Sequence, residues 1–429
     1  MFKKILQWRL ERLTKKYLKR HKPKLVVVTG SVGKTSTKMA ISTVLAERYR
    51  VRVHEGNHNT HLSAPLAIMG VDYPNDIRSF AAWRLVFQAI KLRLRTSDDA
   101  EVIVQELGTD APGDIQRFGR YLRPDIAVVT AVSPEHMEFF HDLEVVAREE
   151  LAVAKFSKLT IVNREDIEAR FAKYADTQNI DTYGLAEPAE YRIELDETSP
   201  LEGKMGRFVL PGSDPIPVSL QLVGAHNVKA AAAAGAVGAK LGLTTQQIAV
   251  GIAKISPVAG RMRLLAGVNR STIIDDTYNS SPLAVRAALD TLYAIEAPQR
   301  VAILGSMNEL GSYSADAHSE IGRYCDPAKL EWVVTIGRDA REFLAPAAKQ
   351  MGCQVKSFES PYEAGGFVHG VIKPGAVVLA KGSQNGVFAE EAVKVLLHDA
   401  EDEEKLVRQS PAWLERKHRQ FDHTISPVE

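Results

Sequence analysis

The sequence predicts an α/β protein made of two successive domains with largely parallel sheets, and three observations predict it. Short β-branched or apolar runs of four or five residues alternate with helical patterns. A glycine-rich turn joins the first strand-like run to the helix that follows it. The alternation begins again after a Pro/Gly segment near residue 259, which reads as a hinge. The chain of 429 residues suits two to four domains, and its 45% hydrophobic and 25% charged content is that of a globular protein with several cores.

Taken in order, Leu25–Thr29 is the first buried strand, Gly30–Gly33 a loop, and Lys34–Tyr49 a helix. Buried strands are expected at Val102–Gln105, Ile126–Thr130 and Leu159–Val162. Residues 175–220 are more polar and turn-rich and read as antiparallel strands. Asn227–Leu241 is a small-residue helix suited to close packing. Beyond the hinge, Ser271–Ile274, Val301–Leu304, Trp332–Ile336 and Ala376–Leu379 are the strands of the second domain. The expected division is a basic helix over 1–24, a central domain over 25–258, a second domain over 259–400 and a charged tail over 401–429.

Charge is concentrated at the start. Ten Lys/Arg and one acid, Glu11, fall in residues 1–24, so this segment carries +9 of a chain whose net charge is +1. Leu6, Leu10, Leu13 and Tyr17 recur at helical spacing, and Pro23 ends the helix. Such a helix either docks its stripe on its own protein or lies on an anionic membrane surface, docking being the commoner fate. The near-neutral total argues against a nucleic-acid coat. Two cysteines, Cys325 and Cys353, exclude a disulfide scaffold and fit a reducing cytoplasm. No apolar run is long enough for a membrane span, and no secretory h-region is present.

The strongest local motif is TGSVGKTS, residues 29–36. Gly30 and Gly33 let the amides of Ser31 and Val32 face phosphate oxygens, Lys34 can reach the outer phosphates, and Thr35 or Ser36 can offer a hydroxyl to Mg²⁺. The full Walker pattern places Gly where this chain has Val28, so its position between strand and helix strengthens the shorter motif. The fold class is therefore α/β, a central P-loop ATPase domain with a mostly parallel sheet plus a C-terminal Rossmann-like α/β domain. Glu106, at a strand's C-terminal end, is placed to serve the cation. His136, in the loop Ser133–His136, is by itself more often structural than a ligand.

These residues and others resemble the Mur ligases, ATP-dependent enzymes that join an amine to a carboxylate. The resemblance runs from residue 25 to about 398. It includes GNHNTHLSAPLAI (56–68), QELGTDAPGDI (105–115), TAVSPEHMEFF (130–140), GAHNVKAAAA (224–233), GRMR (260–263), IIDDTYNSSP (273–282), LGSMNELG (304–311) and KGS (381–383). The motifs DD-x-Y-N and G-x-M-x-E-L-G are those of the member that adds D-alanyl-D-alanine to a UDP-N-acetylmuramoyl tripeptide.

The resemblance implies that Lys34 and the loop amides hold the β- and γ-phosphates of ATP, that Thr35 and Glu106 ligate one Mg²⁺, and that His136 serves a second. Lys34, Glu106 and His136 are then the catalytic residues. Asn227 is expected at adenine, Asp276 at ribose and Arg261 at a phosphate across the hinge. Asn57 and Asn59 face the nucleotide-sugar peptide. A monomer in the cytoplasm is expected. Tyr278, Asn279, Glu309 and His318 lie in matching motifs with no assigned role.

Four departures from the family pattern stand out. About 24 residues precede the first strand, where the relatives carry a uridine-binding domain. Glu150 stands where they carry a carbamylated lysine; it can supply a hard oxygen to Mg²⁺, the alternative being Lys155 in a shifted register. Thr60 and Ser63 replace the usual Asn and Gly, and Gln384 the usual Arg. These changes keep open a different donor, such as a lipid-linked muramoyl peptide or an amino-acid polymer. A P-loop nucleotide switch is disfavoured by the absence of N-K-x-D. A non-catalytic binding subunit is disfavoured by the intact Lys34, Thr35, Glu106 and His136.

Overall fold

The computed structural model describes residues 2–74, 76–97, 100–134, 137–175, 179–196 and 203–421. The first sheet has nine strands: β1 (Lys24–Thr29), β2 (Val51–Val53), β3 (Val102–Glu106), β4 (Ile126–Val129), β5 (Leu159–Asn163), β6 (Ile180–Gly184), β7 (Tyr191–Leu195), β8 (Lys204–Val209) and β9 (Ile216–Leu220). Their order is β2-β3-β1-β4-β5-β6-β7-β8-β9. The second sheet holds β10 (Arg263–Ala266), β11 (Thr272–Asp276), β12 (Arg300–Gly305), β13 (Trp332–Ile336), β14 (Val355–Phe358) and β15 (Val377–Lys381), ordered β10-β11-β15-β12-β13-β14. All its pairs are parallel except the edge pair β10–β11.

The apolar runs become strands because both sheet faces are covered. β1, β3 and β4 are buried almost throughout. One face of the first sheet carries α1 (Phe2–His21), α3 (Ser63–Met69), α4 (Phe80–Arg93), α5 (Asp114–Phe118), α6 (Met137–Phe140) and α7 (Leu143–Leu151). The other carries α2 (Lys34–Leu45), α8 (Ala225–Lys240) and α9 (Thr245–Ala253). In the second domain α10 (Pro282–Ala294), α11 (Ser314–Tyr324) and α12 (Ala345–Gln350) cover one face. Helices α13 (Pro361–Val371) and α14 (Glu390–Leu396) cover the other, and α15 (Pro411–Phe421) follows.

One expectation needs correcting. Residues 175–220 are not wholly antiparallel: β6 pairs parallel with β5, and β7 parallel with β6, before β7, β8 and β9 turn antiparallel. The segment Ala169–Tyr174 crosses over as a 3₁₀ helix between β5 and β6, and a crossover rather than a hairpin returns a strand in the parallel sense.

Helix α1 docks its stripe on its own domain. Leu6, Leu10 and Tyr17 are buried, Glu11 holds the Arg117 guanidinium at 2.7 Å, and α1 packs on α3. After α14 the chain folds back, and Lys417 and Phe421 of α15 are buried. No described helix is long and apolar enough to cross a membrane.

Candidate active site at the sheet edge

Parallel strands end together, and the C-terminal ends of β1, β3 and β4 bring the phosphate-loop residues to one point. Gly30 has φ +119°, and a Cβ there would stand 2.8 Å from the backbone nitrogens of Thr130 and Ala131. The loop is laid directly on the strand that follows β1 in the sheet. The Ser31 amide, expected to face a phosphate, instead donates to Ala131 O at 3.0 Å, and Ser31 Oγ accepts from Ser133 N at 3.0 Å. Gly33, at φ +86°, opens α2, whose first residues are Lys34, Thr35 and Ser36. Lys34 Nζ donates to Gly30 O and Ser31 O, so the ammonium lies over the loop.

Val28 and Glu106 are register partners in adjacent strands, which sets the Glu106 carboxylate beside the loop. Thr35 Oγ1 donates to Glu106 Oε2 at 3.0 Å, and Asn59 Nδ2 to Oε1 at 3.1 Å. Buried Lys38 lies 3.6 Å from the same carboxylate, and burial holds its ammonium pKa below the ordinary value. The Asn loop is pinned by Gly108 N to Asn59 O at 2.9 Å and by Gln105 Nε2 to His58 O at 2.6 Å. The two departures, Thr60 and Ser63, bond each other through their hydroxyls at 2.9 Å at the start of α3.

Two cavities meet here. The larger, about 320 Å³, is lined by Ser31–Thr35, Asn57, Asn59, Thr60 and Glu106 from the first domain. Across it stand Arg261, Tyr278–Ser281, Asn308–Leu310 and Gln384 from the second domain. The smaller, about 90 Å³, is mainly apolar and is reached past Gly33 and Ser36. Asn163, Asp166, His226, Lys229, Asp276 and Lys381 supply its polar groups. Arg261 borders both and stacks its guanidinium 4.3 Å from the Tyr278 ring centroid.

Several polar residues here carry no role in the sequence reading. Lys381 Nζ contacts Asp276 at 2.5 Å with both side chains buried; burial lowers the lysine pKa and the carboxylate opposes this. Asp275 accepts from Gly260 N and from Thr277 N and Oγ1, tying the hinge to β11, and burial raises its pKa to about 6. His226 is half-buried at the wall of the smaller cavity, and burial lowers its pKa to about 4, so it is neutral at pH 7. Lys229 bridges Asp166 at 2.8 Å and Glu165 at 3.0 Å. The only sequence signals for these residues are the doubled Asp, the Lys of KGS and the His beside Asn227.

Three expected ligands are placed differently. Asn227 lines neither cavity; its amide donates to Val223 O at 3.0 Å and Arg261 O at 3.4 Å, bracing the hinge, while His226 faces the smaller cavity. Glu150 also lines neither cavity. Its Oε2 accepts from Gly30 N at 2.8 Å and from Thr29 Oγ1 beneath the loop, and burial raises its pKa. Its Oε1 is buried and has no hydrogen-bond partner among the described residues. Lys155 is exposed in a separate cavity beside Arg117 and Arg120. His136 lies outside the described residues.

Of the residues without an assigned role, Tyr278, Asn279 and Glu309 line the larger cavity. His318 is buried, with Nε2 accepting from Met307 N at 2.9 Å, and braces the 304–311 loop. Among the described residues no group of three His, Cys, Asp or Glu could hold a metal alone.

The chain matches the Mur ligase middle domain over residues 28–238 and the Mur ligase glutamate ligase domain over residues 260–384. The UDP-N-acetylmuramoyl-tripeptide–D-alanyl-D-alanine ligase of Bacillus subtilis is 29% identical over 335 residues, covering 77% of this chain and 66% of that protein. The enzyme of the same description from Rickettsia prowazekii is 27% identical, covering 74% and 66%. The chain thus spans about two thirds of the length of these relatives. Among solved structures, MurF from Acinetobacter baumannii superposes with a TM-score of 0.75 at 23% identity, covering 90% of this chain and 79% of that one. The MurF ligase from Thermotoga maritima in complex with ADP also gives 0.75, at 24% identity, covering 92% and 84%. With the fold shared and the two domain models matched in order along most of its length, the chain belongs to the Mur ligase family.

Proposed function

We propose that the chain is an ATP-dependent ligase that joins D-alanyl-D-alanine to the terminal carboxylate of a UDP-N-acetylmuramoyl tripeptide, releasing ADP and phosphate. The observation that carries this reading is the meeting of Lys34, Thr35, Glu106 and Asn59 at one edge of a cleft whose opposite wall is Arg261, Tyr278–Ser281 and Gln384. A phosphate cradle thereby faces a second polar wall across a space that fits two further substrates. The curated relatives supply the identity of donor and acceptor.

The residues have the chemistry for this. The smaller cavity has apolar walls for a purine, with Asp276 at its border for a ribose hydroxyl. From there the phosphates lead past Gly33 to the loop amides and Lys34. The Thr35 hydroxyl and Glu106 carboxylate are hard oxygen donors 3.0 Å apart, and with phosphate oxygens and water they fit Mg²⁺. Mg²⁺, when bound, neutralises charge on the transferring phosphoryl group.

A carboxylate does not react with an amine directly, because oxide would have to leave. The donor carboxylate oxygen takes the γ-phosphoryl group of ATP, and the bond to ADP breaks. Lys34 and the loop amides hold the charge spread over the transferring oxygens. The neutral amine of the acceptor then attacks the acyl phosphate. The tetrahedral intermediate expels phosphate, and the amine's extra proton passes to solvent. Arg261 and the 276–281 loop close the cleft from the second domain, which keeps water from the acyl phosphate.

The test is phosphate release from ATP with the UDP-muramoyl tripeptide, with and without D-alanyl-D-alanine. Turnover is expected to need both substrates and to disappear in Lys34→Ala. Turnover indifferent to any amine acceptor would overturn the ligase reading. A folded, ATP-binding protein inert with this donor but active with a lipid-linked muramoyl peptide would replace the donor and keep the chemistry.

A further inference from the structure

Half of the large apolar side chains exposed among the described residues lie on α1, on α4 or just before α4, although the Leu6/Leu10/Tyr17 stripe of α1 is docked. Ile5 and Trp8 project from α1. Ile77 precedes α4, and Phe80, Leu85 and Leu92 project from it, with Phe80 78% and Leu85 66% exposed. Leu85 and Leu92 are seven residues apart and so share one side of α4. The two helices adjoin: Ile5, Leu6 and Arg9 border a groove with Phe80, Trp83 and Phe87, and the Arg9 guanidinium lies 4.2 Å over the Phe87 ring.

The charges of the two helices are nearly all of one sign, with Asp76, beside Ile77, an exposed acid at the edge. Helix α1 carries eight Lys/Arg and α4 three, and α4 has no acid. The single acid of α1, Glu11, is buried and held by Arg117. Six of the eleven cations are lysine, the residue that the centre of a protein–protein interface depletes. Exposed Trp, Phe and Leu bordered by Lys and Arg are the composition of a surface that lies in the headgroup region of an anionic bilayer. Helix α1 packs on α3, which begins directly after the Asn57–Thr60 loop of the larger cavity. The face is therefore one helix removed from the cleft.

We propose that the α1/α4 face binds an anionic lipid bilayer, with Ile5, Trp8, Phe80, Leu85 and Leu92 entering the headgroup–acyl boundary and the surrounding cations meeting lipid phosphates. The proposal is independent of the ligase reading.

The experiment is co-sedimentation of the full chain with vesicles of phosphatidylcholine alone and of equal parts phosphatidylcholine and phosphatidylglycerol. Sedimentation is expected only with the anionic vesicles, falling with salt and accompanied by a blue shift of Trp8 emission. Each cation near an anionic surface contributes about fivefold to partitioning, so Lys15→Glu/Lys16→Glu/Lys19→Glu is expected to lower it at least about 100-fold. Leu85→Ser/Leu92→Ser is expected to abolish the component that survives salt. All five side chains are exposed, and both variants are expected to keep the wild-type thermal midpoint and phosphate-release rate. Failure to sediment with either vesicle, or equal sedimentation with both, would overturn the proposal. So would a dimer in sedimentation equilibrium that Leu85→Ser/Leu92→Ser dissolves, because a second copy would then cover the face.

Discussion

Replacing Lys417 with methionine is expected to destabilise the second domain and weaken ATP binding, although Lys417 is far along the chain from any nucleotide motif. Its ammonium is fully buried, 2.9 Å from Glu390 Oε1 and 2.5 Å from Glu391 Oε1, and it donates to Arg408 O at 2.9 Å. Arg408 grips Glu390 through both carboxylate oxygens at 2.7 and 2.6 Å. The same guanidinium donates to Tyr278 O at 2.9 Å and Thr277 O at 2.7 Å. Two cations thus balance two carboxylates, and the network ends on the loop that follows Asp276. Removing one cation leaves Glu391 charged, buried and held, among the described residues, only by Gln409 Nε2 at 3.2 Å. Breaking such a pair costs about 3–5 kcal/mol. With a urea m-value of about 3 kcal/mol/M, the midpoint falls by roughly 1–1.7 M. Urea titration by circular dichroism measures that shift, and phosphate-release kinetics give the KM for ATP, expected to rise. The double variant Lys417→Met/Glu391→Met removes the orphaned charge as well and is expected to recover most of the loss. A single variant within about 0.5 kcal/mol of wild type would refute the reasoning, as would a double variant no better than the single one.

Three further outcomes follow from the site. His226 has a folded pKa of about 4 against 6.5 unfolded, so the unfolded state binds the extra proton as pH falls below 6.5. Its contribution is complete above that pH and about 2 kcal/mol smaller at pH 5. His226→Gln, compared with wild type by urea titration at pH 7.5 and 5, is expected to be less acid-sensitive, and equal slopes would refute this. Gly30→Ala forces a side chain into φ +119° and against two backbone nitrogens. A cost of about 2–4 kcal/mol and loss of ATP binding by calorimetry are expected, and Thr130→Ala should not rescue it, because the backbone contacts remain. Arg261→Ala is expected to raise the KM for ATP about 10- to 100-fold, the value of one charged hydrogen bond, with Arg261→Lys restoring little because lysine cannot stack on Tyr278.

What the sequence revealed follows from where the physics is local. β1, β3, β4, β5 and β11–β13 are apolar runs because both of their faces are covered, and a run of that kind is visible in any window. β2 and β14 are short, half-exposed edge strands without such a run, and no composition signal marks them. The sense of β6 depends on a crossover, which polar composition does not report. In the site, Gly30, Gly33, Lys34, Thr35 and Glu106 were legible because a phosphate loop admits few residue types and strand ends fix their place. The Asn227 amide and the Glu150 carboxylate were not, because hinge carbonyls and the underside of the loop compete for them, and those partners exist only after folding. The Lys417 network was hidden for the same reason: a charged tail reads as solvated until Glu390 and Glu391 are seen to be buried.

In the proposed ligase, ATP turnover is spent on an amide bond between two specific substrates. The most direct measurement is mass spectrometry of the products formed from ATP, UDP-N-acetylmuramoyl tripeptide and D-alanyl-D-alanine, with phosphate counted in parallel. A muramoyl peptide heavier by the dipeptide less water is expected, with one ADP and one phosphate for each bond. ATP hydrolysis that leaves the mass of every muramoyl donor unchanged, soluble or lipid-linked, would contradict it.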